Sequence, residues 1–374
     1  MNYGTATEPS SESGRFGDIG ANVPVKLSKE ELTKLSTVKP LLACMHVAAE
    51  WALIAATIYL CQRFWSPLLY IFAVAFIGSR QHALLVLMHD GVHYRLLRNR
   101  WLNDWMSEVV LAWPHLVTAR QYRKNHFAHH KYLNSAQDPD LKRRAGDPVW
   151  VFPQTVQNLS KTLFRDATGL NAPAMLKLAV SVAAADVVPP GFLVLRYGFY
   201  AAALGVIAYA GALEGFALYW IVPMFTWLVM IMRIRSIAEH HAIEIGEPQT
   251  AYPRTRTTQA TLIERIFLAP KNVNFHIEHH FFPSVPFYRL PELHAILMTK
   301  PGYREGAHVT RTYWGVLEES VGRTPSNRGK AGTADNSAIY LHHARVAGGT
   351  HDVAILTTSY GITVALDVNS GRIL

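Results

Sequence analysis

The stretch Asn272-Val273-Asn274-Phe275-His276-Ile277-Glu278-His279-His280 places three imidazoles within five residues, directly after a long apolar region. On a helix, positions 276, 279 and 280 are related by i,i+3 and i,i+4, so all three rings leave one face and can converge on one point. That is a metal-binding face. The same His-x-x-His-His spacing recurs at His126, His129 and His130, and an i,i+4 pair stands at His89 and His93. The rest of the chain must explain what brings these eight histidines together.

Half of the 374 residues are hydrophobic and 17% are charged, against about 25% charged in ordinary soluble domains. That balance belongs to a membrane protein. The formal charge of +9 could serve nucleic acid, but no recognition helix, zinc knuckle or stacked-aromatic motif accompanies it, and no nucleic-acid partner is expected. Basic loops against an anionic leaflet account for the charge. The two cysteines, Cys44 and Cys61, flank an apolar run and form neither a disulfide framework nor a Cys-x-x-Cys pair, which excludes sulfur chemistry.

Residues 1–38 are polar, lack the basic start and apolar core of a cleaved signal peptide, and read as a mobile cytosolic tail. From Leu41 to Leu60 the chain is nearly uncharged, Glu50 excepted, over the length that crosses a bilayer as a helix. A second apolar run from Trp65 to Met88, interrupted by Arg80 and His82, feeds into His89-Asp90-Gly91-Val92-His93. The second helix therefore carries its histidine pair out of the membrane on a rigid column. Phe192 to Met232 is long enough to cross twice, with Glu214-Gly215 as the outer turn.

Four spans put both termini and every histidine cluster on one side. The loop after residue 94 carries Arg95, Arg98, Arg100, Arg120, Arg123 and Lys124, against Arg63 alone in the first turn, so the positive-inside rule makes that side cytosolic. Within the loop, Val109–Val117 is too short to span and is broken by Pro114, so it reads as interfacial or re-entrant. Ala172–Val188 reads as lying along the membrane surface. The expected fold is all-α: a polytopic membrane protein whose domain, residues 39–322, has four transmembrane helices and a cytosolic helical cap carrying a histidine-rich dimetal site.

Imidazole suits zinc, copper, iron and nickel alike, so histidine alone does not name the metal. A single zinc takes about three or four protein ligands, whereas this chain offers eight clustered histidines plus His240 and His241 beyond the fourth span. Two ions fit better than one. Adjacent residues on a helix point about 100° apart, so one of His240 and His241 joins such a shell, not both. The lone histidines His46, His115, His294, His308, His342, His343 and His351 read as surface or satisfied core, and His82 as a hydrogen-bonding or structural residue. Asp90, Asp138, Asp140, Glu239 and Glu278 stand where a carboxylate can fix a metal-bound ring through its other nitrogen, with Asp90 and Glu239 directly adjoining proposed ligands. Asn274 is a further candidate for that outer layer.

His89-Asp90-Gly91-Val92-His93, then Arg123-Lys124-Asn125-His126-Phe127-Ala128-His129-His130 with Asp138-Pro139-Asp140 behind it, then Asn274 to Pro283, resemble the three histidine boxes of the membrane fatty acid desaturase family. The continuation Ser284-Val285-Pro286-Phe287-Tyr288-Arg289-Leu290-Pro291 resembles the acyl branch of that family. The resemblance, from about Leu41 to Thr312, implies two iron ions in a non-haem centre that uses O2 and two electrons to desaturate a fatty acyl chain carried as a lipid or thioester. It also implies that His240 is the extra histidine between the fourth span and the last box. Electrons are expected from a separate donor, a ferredoxin or cytochrome b5-like protein, for which basic loops suit an acidic partner.

The same centre could hydroxylate or ketolate a carotenoid, an alkane or a lipid. A different class, a metal transporter or bis-histidine haem carrier, would place its ligands near the bilayer midplane, whereas these follow the spans. Residues 323–374 read as a linker over 325–337 and then, from Val353 to Gly371, two strands joined by a turn. This resembles part of a propeller blade that stops early, as a gene fusion would leave it. One hairpin is marginally stable alone, so the tail is expected to be disordered or loosely docked.

Overall fold

The computed structural model describes residues 25–177, 188–243, 255–322, 339–346, 349–357 and 363–370. The chain is mostly helical, and four helices are long and apolar enough to cross a membrane: Pro40–Arg63, Pro67–Val92, Pro190–Tyr209 and Leu213–His240, spans 1 to 4 below. Spans 1 to 3 each begin on a proline, whose fixed φ suits a first helical turn and whose missing N–H would have no partner there. Span 2 is also capped by Ser66, whose hydroxyl accepts the Leu69 N–H at 3.2 Å.

Span 2 is the central column. Its apolar window is 67% buried, against 6% for span 3, the least enclosed of the four. Ile77, Leu84 and Leu87 of span 2 join Val47 and Ile54 of span 1 and Trp220 of span 4 in one core. At Gly78 a Cβ would come within 2.9 Å of the Trp227 Cβ, so only glycine lets spans 2 and 4 approach this closely.

The turn between spans 3 and 4 falls at Ala210–Ala212, not at Glu214-Gly215 as the sequence suggested. Gly211 supplies the left-handed conformation there, with φ of 64°. Glu214 then lies in the first turn of span 4, where a carboxylate faces the positive helix end. Two equally apolar helices leave no hydropathy minimum to mark the turn. Span 4 is not straight: Ala217–Ile221 is a π-turn, Pro223 removes a backbone donor, and Thr226 leaves helical geometry before Trp227–His240 resumes.

The segment expected to be interfacial or re-entrant runs as a π-turn over Met106–Ala112 and a 3-10 turn over Trp113–His115, ending at Leu116 with φ of 62°. It packs against the spans. The Trp113 ring meets Phe192 and Phe199 of span 3, Arg196 donates to the Leu116 carbonyl at 3.0 Å, and Trp220 Nε1 to that of Pro114 at 3.0 Å. Buried Glu108 accepts the N–H groups of Ala119 and Arg120 at 3.0 and 2.8 Å, which starts the helix Ala119–Tyr132 that carries the second histidine motif.

The described end of the polar N-terminal region is folded rather than a tail. Lys29–Leu35 is a helix with a Ser28/Glu31 capping box, and Leu35, 1% exposed, packs with Ile277, Phe281 and Leu293 behind the third histidine motif. Residues 1–24, 178–187 and 325–337 lie outside the described residues, and with them parts of the readings made for the tail, the surface segment and the linker.

The fold is not purely α. Thr257–Thr258 (β1) pairs in parallel with Val309–Thr310 (β2). Near the C-terminus Ile339–Val346 (β3), Gly349–Thr357 (β4) and Thr363–Asp367 (β5) form an antiparallel sheet. Strands β4 and β5 answer to the expected hairpin; β3 does not show in the sequence because its register shifts between Leu341 and Ala344, which breaks the period-2 pattern.

Because Leu35 fills the core under the third motif, Leu35→Ala should lower stability by about 2–5 kcal/mol, the usual range for emptying a buried leucine site. Thermal unfolding in detergent checks this against Leu41→Ala, at a position 76% exposed, which should leave the midpoint nearly unchanged.

Candidate metal centre

Four separate segments meet at the histidine-bearing ends of spans 2 and 4. Span 2 delivers His89 and, at its C-cap, His93. The helix Ala119–Tyr132 delivers His126, His129 and His130, span 4 ends on His240, and the short helix His276–Phe281 delivers His276, His279 and His280. Each of these rings other than that of His240 belongs to a buried residue.

The rings fall into two groups. In the first, His126 Nε2 lies 2.9 Å from His93 Nε2 and 3.0 Å from His130 Nε2, which is itself 3.0 Å from His279 Nε2. His89 stands against His126 and His279, with ring centroids 4.6 and 4.3 Å away. In the second, His240 Nε2 lies 2.8 Å from His276 Nε2 and 3.2 Å from His129 Nε2, and His276 is 3.0 Å from His280. Ligand nitrogens of His89, His93, His126 and His279 all lie within 4.8 Å of one another, as do those of His129, His240 and His280.

The third motif therefore does not aim its three rings at one point. His276 and His280 serve the second group and His279 the first, while the second motif divides the opposite way, with His126 and His130 in the first group and His129 in the second. The two motif helices face each other, so an i,i+4 pair stays on its own side while the i+3 ring crosses to the other.

The donor set suits a metal. Burial, followed by the charge of neighbouring histidines, pushes His93, His126, His130, His276, His279 and His280 well below the usual imidazole range, so these rings are neutral and keep a lone pair. His129 Nδ1 lies 3.0 Å from both oxygens of Asp138, which turns its Nε2 inward to within 3.2 Å of His240 Nε2. Burial opposes the charge on Asp138, but the His129 hydrogen bond, together with the N–H groups of Asn134 and Asp140, holds its carboxyl below the ordinary range. His89 Nε2 is buried with no hydrogen-bond partner. Inward lone pairs this close repel unless a cation or shared protons lie among them.

The outer residues divide as well. Asp90 lies 3.7 Å from His89 Nδ1 and accepts the Phe287 N–H at 2.8 Å, which ties the first motif to the segment after the third. Glu239 lies 3.5 Å from His276 Nδ1 and pairs with Arg235 at 2.5 Å. Asp140 reaches none of the rings: it pairs with Arg143 at 3.3 Å. Asn274 donates to the Thr258 carbonyl at 2.7 Å. Glu278 points away from both groups and takes Thr257 Oγ1 and the Tyr303 hydroxyl, each at 2.6 Å, and the His294 ring. It orients the motif helix from behind.

His240 joins the second group and His241 does not. The helix ends between them, and His241 Nε2 accepts from Arg144 at 2.8 Å beside Trp150. Burial and the Arg144 charge push it down to about 3. Arg256, which sequence reading missed, closes that helix end by donating to the carbonyls of Ala238 at 3.1 Å and Ala242 at 2.7 Å while pairing with Glu319 at 2.6 Å. Nothing local in the sequence marks it; Arg235, spaced i,i+4 from Glu239, could have been found. Lone His308 meets Glu319 at 3.0 Å, and lone His115 meets the Leu111 carbonyl at 2.7 Å through Nδ1, while its Nε2 is buried with no hydrogen-bond partner.

A model of the fatty acid desaturase family matches residues 63–312. The chain belongs to the fatty acid desaturase family. It is 30% identical over 316 residues to dihydrorhizobitoxine desaturase of Bradyrhizobium elkanii, covering 81% of this chain and 88% of that protein. It is 23% identical over 304 residues to sn-1 oleoyl-lipid 12-desaturase of Anabaena variabilis, covering 74% and 79%. Over 256 residues it is 24% identical to zeaxanthin 4-ketolase of Chlamydomonas reinhardtii, covering 67% of this chain and 46% of the ketolase. This desaturase-family chain is an oxidoreductase with membrane helices.

The depressed histidines also set an acid limit. They are neutral in the fold but titrate near 6.5 in an unfolded chain, so as pH falls the unfolded state takes up protons first. The stability they contribute is complete above about pH 6.5 and is lost progressively below it. Unfolding midpoints measured in detergent from pH 8 to pH 5 should fall on the acid side, and a flat profile would contradict this account of the cluster.

Proposed function

We propose that this chain is an O2-dependent desaturase that introduces a double bond into a fatty acyl chain, carried as a lipid or thioester, at a non-haem di-iron centre. The observation that carries the reading is the division of the rings into His89, His93, His126, His130 and His279 on one side and His129, His240, His276 and His280 on the other. Two all-nitrogen sets side by side suit two ions of one metal. Iron bound there would supply the oxidising power that an unactivated C–H bond requires.

The protein's own part is to bind, orient and exclude water. Asp138 holds the outer nitrogen of His129 at 3.0 Å, and Glu239 and Asp90 stand behind His276 and His89 at 3.5 and 3.7 Å. A small cavity reaches both groups through His89, His279 and His276, with Val86, Phe287 and Leu290 on one side and Asp90, Arg235 and Lys271 on the other. Overall, a CH2–CH2 unit gives up two hydrogens. With two electrons and two protons from a donor, O2 leaves as two waters.

The donor in this reading is a separate ferredoxin or cytochrome b5-like protein, and exposed Lys124, Lys131 and Lys142 near the second motif offer it a cationic surface. The positive-inside rule places this side in the cytosol together with both termini. A second substrate follows from the similarity to dihydrorhizobitoxine desaturase: the same double-bond chemistry on dihydrorhizobitoxine instead of an acyl lipid. The ketolase similarity keeps insertion of oxygen as a third outcome.

Mass spectrometry after expression in a host lacking the activity separates these outcomes. The proposal predicts new monounsaturated acyl chains, and His279→Ala should abolish them while the protein stays in the membrane. New oxygenated lipids, or unchanged lipids with conversion of added dihydrorhizobitoxine, would replace the acyl-desaturase reading.

A further inference from the structure

Span 2 carries Ser79, Arg80 and His82 in the middle of an apolar run, and all three are buried. Ser79 and Arg80 meet the backbone of one short segment. Ser79 Oγ donates to the Phe267 carbonyl at 2.9 Å and Arg80 donates to that of Ile266. Trp227 of span 4 donates to Ser79 Oγ at 3.0 Å. The Phe267 ring itself packs 6.2 and 6.1 Å from Phe72 and Phe76 of span 2.

These contacts fix a depth. Ser79 lies ten residues before His89 and Phe72 seventeen, about 15 Å and about 26 Å along a helix rising 1.5 Å per residue. The helix Leu262–Phe267 therefore descends beside span 2 into the layer that the spans cross. The chain then reverses through Pro270, Lys271 and Asn272, the last two at φ of 57° and 58°. Lys271 anchors the return to Glu50 of span 1 at 2.5 Å, and Glu50 also holds Arg80 at 3.2 Å. Irregular backbone at such depth survives only where protein groups satisfy it. The Pro114 and Leu116 carbonyls are served by Trp220 and Arg196 in the same manner.

On the side away from span 2, Leu262 and Ile263 are 74% and 71% exposed, and Trp314, whose neighbour Tyr313 donates to Glu264 at 2.8 Å, is 68% exposed. We propose that residues 261–272 form a re-entrant element whose Leu262 and Ile263 are buried in lipid acyl chains, with Trp314 at the interface beside them. The inference rests on reading the four long helices as membrane spans. Its consequence is mechanical: the element ends four residues before His276, so lipid contact sets the height from which the third histidine motif is launched.

A photoreactive benzoyl-phenylalanine placed at 262 or 263 of the full chain, irradiated in native membranes and analysed by intact mass, tests this. The same probe at Leu68, 80% exposed on span 2, and at Lys142 on the polar surface supplies the references. Phospholipid adducts at 262 and 263 approaching the Leu68 yield are expected. Yields at the Lys142 level, or crosslinks into another protein chain instead of lipid, would overturn the proposal. If Leu68 also gave no lipid adduct, the reading of the spans would fail first.

Discussion

Imidazole nitrogens crowded into a buried space are the constraint on which the rest of this structure depends. Nε2 atoms 2.8–3.2 Å apart, drawn from four distant segments, do not attract one another without protons or a cation among them. The surrounding protein holds them there regardless. Asp138 and Glu239 grip rings from outside, Glu108 starts the second motif helix, Arg256 closes the end of span 4, and Glu278 fixes the third motif helix from behind. Holding ligands in place before the metal arrives is what gives a metal site its geometry and selectivity.

The histidine motifs are legible in the sequence because ligand spacing on a helix is a local property. Their division between two groups is not, since whether an i+3 ring follows its i,i+4 partners depends on which helix stands opposite. His279 and His129 cross over for that reason. Glu278 looks like a ligand's neighbour in the sequence, yet on the helix it faces about 100° away from His279. Its partners Thr257, His294 and Tyr303 are scattered along the chain, and no spacing rule would collect them. The choice of His240 over His241 follows from where a helix stops, and Arg144 and Trp150 then draw His241 aside. The folded helix Lys29–Leu35 escapes a reading by composition because only one of its faces is apolar.

Polar residues inside the spans follow the same physics. In the sequence, Arg80 and His82 read as interruptions of an apolar run. In the fold Arg80 and Arg196 serve irregular backbone that passes beside the spans, where water cannot satisfy a bare carbonyl. Gln81 likewise donates to the Trp220 carbonyl at 2.9 Å, next to the π-turn where span 4 loses its regular hydrogen bonds. The membrane part is thus a scaffold in which polar contacts as well as apolar packing hold the spans against the segments between them.

The central claim is that two ions are held by two interlocked histidine sets. Iron content per chain, with Mössbauer spectra, tests it on the purified protein and on two paired variants, His126→Ala/His130→Ala and His276→Ala/His280→Ala. The account predicts two irons in the parent chain and the loss of one, with a different spectral component missing, in each variant. A parent chain that binds a single iron, or variants that both lose the same component, would contradict it.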